Sequence, residues 1–232
     1  MGRSNLAYLA SAPGPFGTLH LRRRELLAQP GTVVFELLVD QDLLMSSLST
    51  HSEEALAHHA VRMHGGHGLR VLVGGLGLGY TARAALDSEA VAAVAVIELL
   101  PELIGWFQDG LVPLGRALGR EPRFSLRQGD VYGALTGPPP EQPHDVILVD
   151  VDHAPEERLG DASGTFYTEE GLRRVREHLA PEGILGVWSY DESPAFAALL
   201  GRVFRELCVE RLAFANPVVG EEEVNWLFLA RR

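Results

Sequence analysis

The sequence predicts an α/β fold built on a mostly parallel, doubly wound sheet, and three stretches predict it. Val71-Leu72-Val73 is an apolar strand end that runs into Gly74-Gly75-Leu76-Gly77-Leu78-Gly79, and behind it Thr81–Leu86 has the composition of a helix. Val91–Ile97 is wholly apolar, as a strand buried on both faces of a parallel sheet must be, and it ends in Glu98. Cys208–Phe214 and Val224–Ala230 are β-rich with no helix between them, so they should pair as an antiparallel hairpin.

A strand, a glycine-rich turn and a helix start together form a cradle for a nucleotide cofactor, because glycine lets the backbone turn sharply and approach a ligand. Gly75, Gly77 and Gly79 give G-x-G-x-G, whereas the dinucleotide fingerprint would need glycine where Tyr80 stands. Glu98 follows Gly79 by 19 residues, the place where doubly wound folds put the carboxylate that accepts from ribose hydroxyls. Pro101 suits the first turn of the next helix.

Composition bounds the remainder. A chain of 232 residues can bury a sizeable core, and 46% hydrophobic with 22% charged residues describes a soluble globular protein. A net charge of -11 argues against a nucleic-acid partner. The single Cys208 excludes an internal disulfide, and no apolar run is long enough to span a bilayer or act as a leader, so a cytoplasmic protein without membrane partners is expected.

In chain order, residues 1–49 are expected to form a small N-terminal β unit and 50–232 the cofactor-binding domain. Phe16–Leu21 and Thr32–Asp40 are β-rich with a Pro30-Gly31 turn between them, and Arg22-Arg23-Arg24 reads as a solvated strand end. Thr50-His51-Ser52-Glu53 fits a capping box, with Thr50 as N-cap and Glu53 reaching back, and Gly65-Gly66 ends that helix. His58, His59, His64 and His67 crowd its end without a cysteine or fixed ligand spacing, so no metal site is expected. Leu103–Leu118 reads as helix with a break near Gly110 and Pro113. Phe124–Gln128 is a third strand ending in Gly129-Asp130, whose carboxylate is placed to accept the exocyclic amine of an adenine. His144–Val149 is a fourth, ending in Asp150-Val151-Asp152-His153, two carboxylates and an imidazole at the edge where ligands bind in open α/β folds. Phe166–Leu179 is expected as helix, Ile184–Tyr190 as strand, and Pro194 to about Leu207 as helix.

These motifs resemble the class I S-adenosylmethionine-dependent methyltransferase fold, a Rossmann-like, mostly parallel seven-stranded sheet with a C-terminal antiparallel hairpin. Within it the chain resembles the spermidine synthase branch. Gly75–Gly79 with Arg83, Glu98, Gly129-Asp130, His144–Ile147 with Asp150, and Phe166-Tyr167 carry that likeness, together with the β unit before the cradle. The resemblance implies binding of S-adenosylmethionine, its decarboxylated form or methylthioadenosine by Gly75, Gly77, Gly79, Glu98, Gly129, Asp130 and Asp150. It also implies a homodimer and a small-molecule acceptor, an amine among the candidates.

The likeness fails where an amine would bind. An acid expected after the fourth strand is His153, the acid- and tyrosine-bearing helix start is replaced by Leu48–Glu54, and the aspartate within the glycine loop is Leu78. The sulfonium carbon is already activated, so the residues mainly align an acceptor with it. Asp150 is the first candidate to hold the cationic centre or take a proton, Asp152 the second, and His153 a base near neutral pH, with Glu53 or Glu54 of the preceding helix a further carboxylate at the mouth. The rewritten acceptor half places a methyltransferase first, predicts little or no spermidine from putrescine, and favours the sulfonium that bears a carboxylate. An aminopropyltransferase is the alternative, and a non-catalytic cofactor-binding protein the third reading.

Overall fold

Alternating apolar residues near the N-terminus make four strands in a meander rather than the two expected: β1 (Leu6–Gly14), β2 (Gly17–Glu25), β3 (Val33–Val39) and β4 (Asp42–Ser46), paired antiparallel in that order. The computed structural model describes residues 5–151, 154–155, 164–215, 220 and 222–232. β1 and β4 escape sequence reading because one is rich in alanine and serine and the other has five residues. The three arginines lie inside β2; Arg23 is exposed as expected, but Arg22 and Arg24 are half-buried rather than solvated. Residues two apart share a face of a strand, so Arg22 and Arg24 both reach Glu36 on β3, at 2.6 and 2.7 Å, and Glu36 is 2% exposed.

Helix α1 (His51–His64) ends at Gly65, whose φ of 73° supplies the left-handed cap. Its start differs from the expected capping box. The Thr50 hydroxyl donates to Glu54 Oε1 at 2.7 Å and caps no backbone amide, while Glu53 is turned elsewhere.

From here the chain alternates: β5 (Leu69–Gly74), α2 (Tyr80–Leu86), β6 (Val91–Glu98), α3 (Pro101–Gln108), α4 (Gly115–Leu118), β7 (Phe124–Gln128), α5 (Val131–Thr136), β8 (His144–Val149), α6 (Glu169–His178), β9 (Leu179–Ser189), α7 (Pro194–Val203), β10 (Glu206–Ala215) and β11 (Glu222–Arg231). The break between α3 and α4 falls at the expected Gly110–Pro113 stretch. β9 begins five residues before the expected Ile184, because Leu179 already pairs with His144 of β8.

The large sheet has seven strands in the order β10-β11-β9-β8-β5-β6-β7. β7, β6, β5, β8 and β9 are parallel, and β11 and β10 add the antiparallel hairpin. Strand order reverses at β5, which lies between β6 and β8, so the adjoining loops diverge and leave a crevice at the strands' carboxyl ends. One apolar cluster joins α1, α2 and α3 to that sheet and takes in Leu19, Leu21 and Leu37 of the N-terminal sheet. A second, with Leu135, Leu172, Val175 and Leu200, fills the opposite face under α5, α6 and α7. The N-terminal sheet thus shares a core with the larger one. No helix among the described residues is long and apolar enough to cross a membrane.

Candidate active site

The crevice holds a cavity of about 250 Å³. Phe16, Leu37, Val39, Leu44 and Met45 of the N-terminal sheet and its turns give it an apolar side. Gly75 to Gly77, Ile97 to Leu100, and Gly129 to Tyr132 come from the carboxyl ends of the central strands and the turns after them, with Glu53, Leu103, Asp150, Val151 and Trp188 completing the described lining.

The glycine turn is built by backbone sign. Gly75, Gly77 and Gly79 have φ of 90°, 49° and 94°, values that side chains rarely tolerate. Protein neighbours add a second constraint. A Cβ on Gly77 would stand 2.6 Å from Met45 Sδ, and one on Gly79 2.8 Å from Leu118 Cδ1. The same Met45 sulfur accepts the Leu78 amide at 3.2 Å, tying the turn to β4. Gly75 and Gly77 line the cavity, whereas Gly79 is set back against Leu118.

Glu98 closes β6 at 6% exposure, accepting the Leu76 amide on Oε2 and the Leu100 amide on Oε1, both at 2.8 Å. Burial pushes its carboxyl up, and the Leu100 and Leu76 amides pull it back. A carboxylate has about four acceptor sites. The Leu76 and Leu100 amides, with a weaker pull from the Leu99 amide, still leave acceptor capacity for a ribose hydroxyl, so the residue present fits that role. Asp130 is the N-cap of α5, accepting from the Tyr132 and Gly133 amides at 2.9 and 3.1 Å, and it too lines the cavity. Its capping bonds aim the carboxylate while leaving acceptor capacity for an exocyclic amine.

Asp150 follows β8 and receives the Thr81 hydroxyl of α2 on Oδ2 at 2.6 Å. Burial pushes its carboxyl above the ordinary range, and the Thr81 bond opposes that. Glu53 faces the same cavity and is pushed up to about 7, first by burial and then by the charge of Asp150. Two carboxyls without a cation between them cannot both ionise cheaply. The Trp188 indole N–H is buried with no hydrogen-bond partner among the described residues, and Trp188 lines the cavity. Among the described lining residues there is no arginine, lysine or histidine.

Of the residues singled out in the sequence, Gly75, Gly77, Glu98, Gly129, Asp130 and Asp150 meet at the cavity. Arg83 instead pairs with Asp87 at 2.7 Å on the surface of α2. Asp152 and His153 lie outside the described residues. No cluster of three or more metal-ligating side chains occurs among the described residues. Sequence reasoning missed Thr81 and Trp188, which carry no motif, and gave Glu53 two roles, a helix cap and a carboxylate at the mouth beside Asp150; the structure shows the second placement and not the first.

No family model matches the chain. A polyamine aminopropyltransferase of Oceanobacillus iheyensis is 28% identical over 163 residues, 69% of this chain and 30% of that protein. Polyamine aminopropyltransferase 2 of Streptomyces coelicolor is 33% identical over 136 residues, 58% of this chain and 23% of that protein. The chain thus spans less than a third of the length of these curated relatives. Spermidine synthase from Thermotoga maritima superposes with a TM-score of 0.72 at 17% identity, covering 97% of this chain and 72% of that one. The chain has the spermidine synthase fold. In that fold the cavity lies where the small N-terminal sheet meets the carboxyl edge of the large one, and both sheets contribute to its lining.

Proposed function

We propose that this chain is a spermidine-synthase-like transferase that passes the aminopropyl group of decarboxylated S-adenosylmethionine to a small amine. The observation that carries the reading is the charge of the cavity. Glu53, Glu98, Asp130 and Asp150 line it with no basic side chain among its described residues. A sulfonium and an amine, both cationic, suit such a site, whereas the carboxylate of S-adenosylmethionine would meet no cationic side chain there. This reverses the order drawn from the sequence, which put methyl transfer and the carboxylate-bearing cofactor first. Likeness to two polyamine aminopropyltransferases supports the same direction.

The bound sulfonium supplies a carbon already activated for attack. Glu98 holds the ribose hydroxyls and Asp130 the adenine amine, while the N-terminal sheet excludes water from the apolar side. Asp150, fixed by Thr81, faces the cationic centre and orients the incoming nitrogen. Pairing of two copies along the outer edge of β1, where Tyr8 is 56% exposed, belongs to the same proposal.

Calorimetry with both sulfoniums and methylthioadenosine, beside an assay for amine-dependent methylthioadenosine release, tests the reading. The decarboxylated donor should bind at least tenfold more tightly than S-adenosylmethionine, with turnover lost in Asp150→Asn. Tighter binding of S-adenosylmethionine together with a methylated product would overturn it.

A further inference from the structure

The sequence offers Glu53 a local role, since Thr50-His51-Ser52-Glu53 can close a capping box. The structure does not use it so. Thr50 bonds to Glu54, and the Glu53 carboxylate accepts the Ser52 hydroxyl at 2.7 Å while lining the cavity with Asp150. Glu53 also occupies the stretch, Leu48–Glu54, that stands in place of the acid- and tyrosine-bearing helix start of the spermidine synthases.

Among the described residues, every titratable group that faces Glu53 is an acid. Asp150 comes from the end of β8, Glu54 from its own helix and Tyr80 from α2, and no described arginine or histidine acts on it. Asp150 is anchored on one side by Thr81 and Glu53 by Ser52. Two anchored carboxyls facing one cavity without a counter-cation make a seat that is incomplete until a proton or an ammonium occupies it.

We propose that Glu53 and Asp150 form a two-carboxyl seat for the acceptor nitrogen, with Glu53 the group that takes the proton released on transfer. The proposal rests on the aminopropyl-transfer reading. The acceptor binds as its ammonium between the two carboxylates, displacing any proton they share. Glu53 then removes one N–H proton, and the freed lone pair forms the new C–N bond to the carbon beside the sulfonium. The C–S bond breaks with its electrons returning to sulfur, which leaves as the neutral thioether. The product nitrogen is a secondary ammonium, and the lost proton remains on Glu53 until solvent collects it. Phe16, Val39 and Leu44 line the same cavity and suit the carbon chain of an alkyl amine.

The experiment titrates putrescine and n-propylamine into the full chain saturated with methylthioadenosine, in two buffers of different ionisation enthalpy at pH 7. Since Glu53 is pushed up to about 7, the parent should release about half a proton per amine bound. Glu53→Gln should release none and bind either amine at least tenfold more weakly, while Glu53→Asp keeps proton release with intermediate affinity. Methylthioadenosine alone is titrated first into each protein. Its failure to bind the parent would defeat the aminopropyl-transfer reading itself. Nucleoside binding with no amine binding by the parent, with proton release that persists in Glu53→Gln, or with unchanged amine affinity in that variant would overturn the two-carboxyl seat alone.

Discussion

Thr81→Val removes one hydroxyl and leaves the shape of a buried side chain nearly unchanged, so its effect isolates the bond to Asp150. That bond is 2.6 Å long, and its acceptor is a part-buried carboxylate that lines the cavity. A hydrogen bond to a charged group contributes about 1.5–3 kcal/mol. At 1.36 kcal/mol per unit, its loss should raise the Asp150 pKa by about one to two units. The sign follows from which form the hydroxyl serves. It donates to the ionised carboxylate, so its removal favours the protonated acid, adding to a shift already upward through burial. A carboxyl whose pKa is raised on folding favours the folded state in acid and loses that contribution as pH climbs through the folded value. The stability difference between parent and variant should therefore be largest in alkali, where Asp150 is ionised, and shrink toward acid. Carboxyl carbon shifts followed by NMR across pH provide the assay, with Asp150→Asn for assignment. Because Asp150 and Glu53 titrate together, the quantity to read is the sum of their two midpoints, which should rise by about one to two units in the variant. A sum that stays put or falls would refute the reasoning.

Glu98→Ala should weaken methylthioadenosine binding by about 1–3 kcal/mol, since it removes the carboxylate that keeps spare acceptor sites in the cavity; calorimetry giving an unchanged affinity would count against it. Glu36→Ala leaves Arg22 and Arg24 without their shared partner and should cost about 3–5 kcal/mol in urea unfolding. A loss below about 1 kcal/mol would mean that the two arginines find solvent instead.

The glycine turn, Glu98 and Asp130 of the candidate site were legible as neighbours of one cavity because their signals are local. Three glycines with positive φ, an apolar strand ending in Glu98 and a Gly129-Asp130 step each lie within a few consecutive residues. Their meaning depends on backbone geometry that those residues themselves impose. The parallel strands were legible for a similar reason, since burial on both faces writes itself as an unbroken apolar run. β1 and β4 were not, because an edge strand of small residues and a five-residue strand take their conformation from their neighbours. Arg22 and Arg24 looked solvated only because Glu36, twelve and fourteen residues away, is brought opposite them by β2–β3 pairing.

The acceptor half is the opposite case. Glu53, Thr81, Asp150 and Trp188 come from two helices, the end of one strand and the length of another, and no two lie within twenty residues of each other. A capping rule applied to Thr50–Glu53 is sound chemistry for an isolated helix, where Glu53 would otherwise face water. Here Glu53 lines a cavity shared with residues of the N-terminal sheet, and that competing environment already holds Asp150. Placing Glu53 there costs desolvation and like-charge repulsion, both of which favour its protonated form. Folding alone gains nothing from that arrangement, since the capping box was available in the same four residues. The cost becomes intelligible when a cation completes the pair, because an ammonium reverses the repulsion and supplies donors to both carboxylates. On this argument the departure from local helix rules and the departure from the spermidine synthase motif mark one feature, the seat of the acceptor nitrogen.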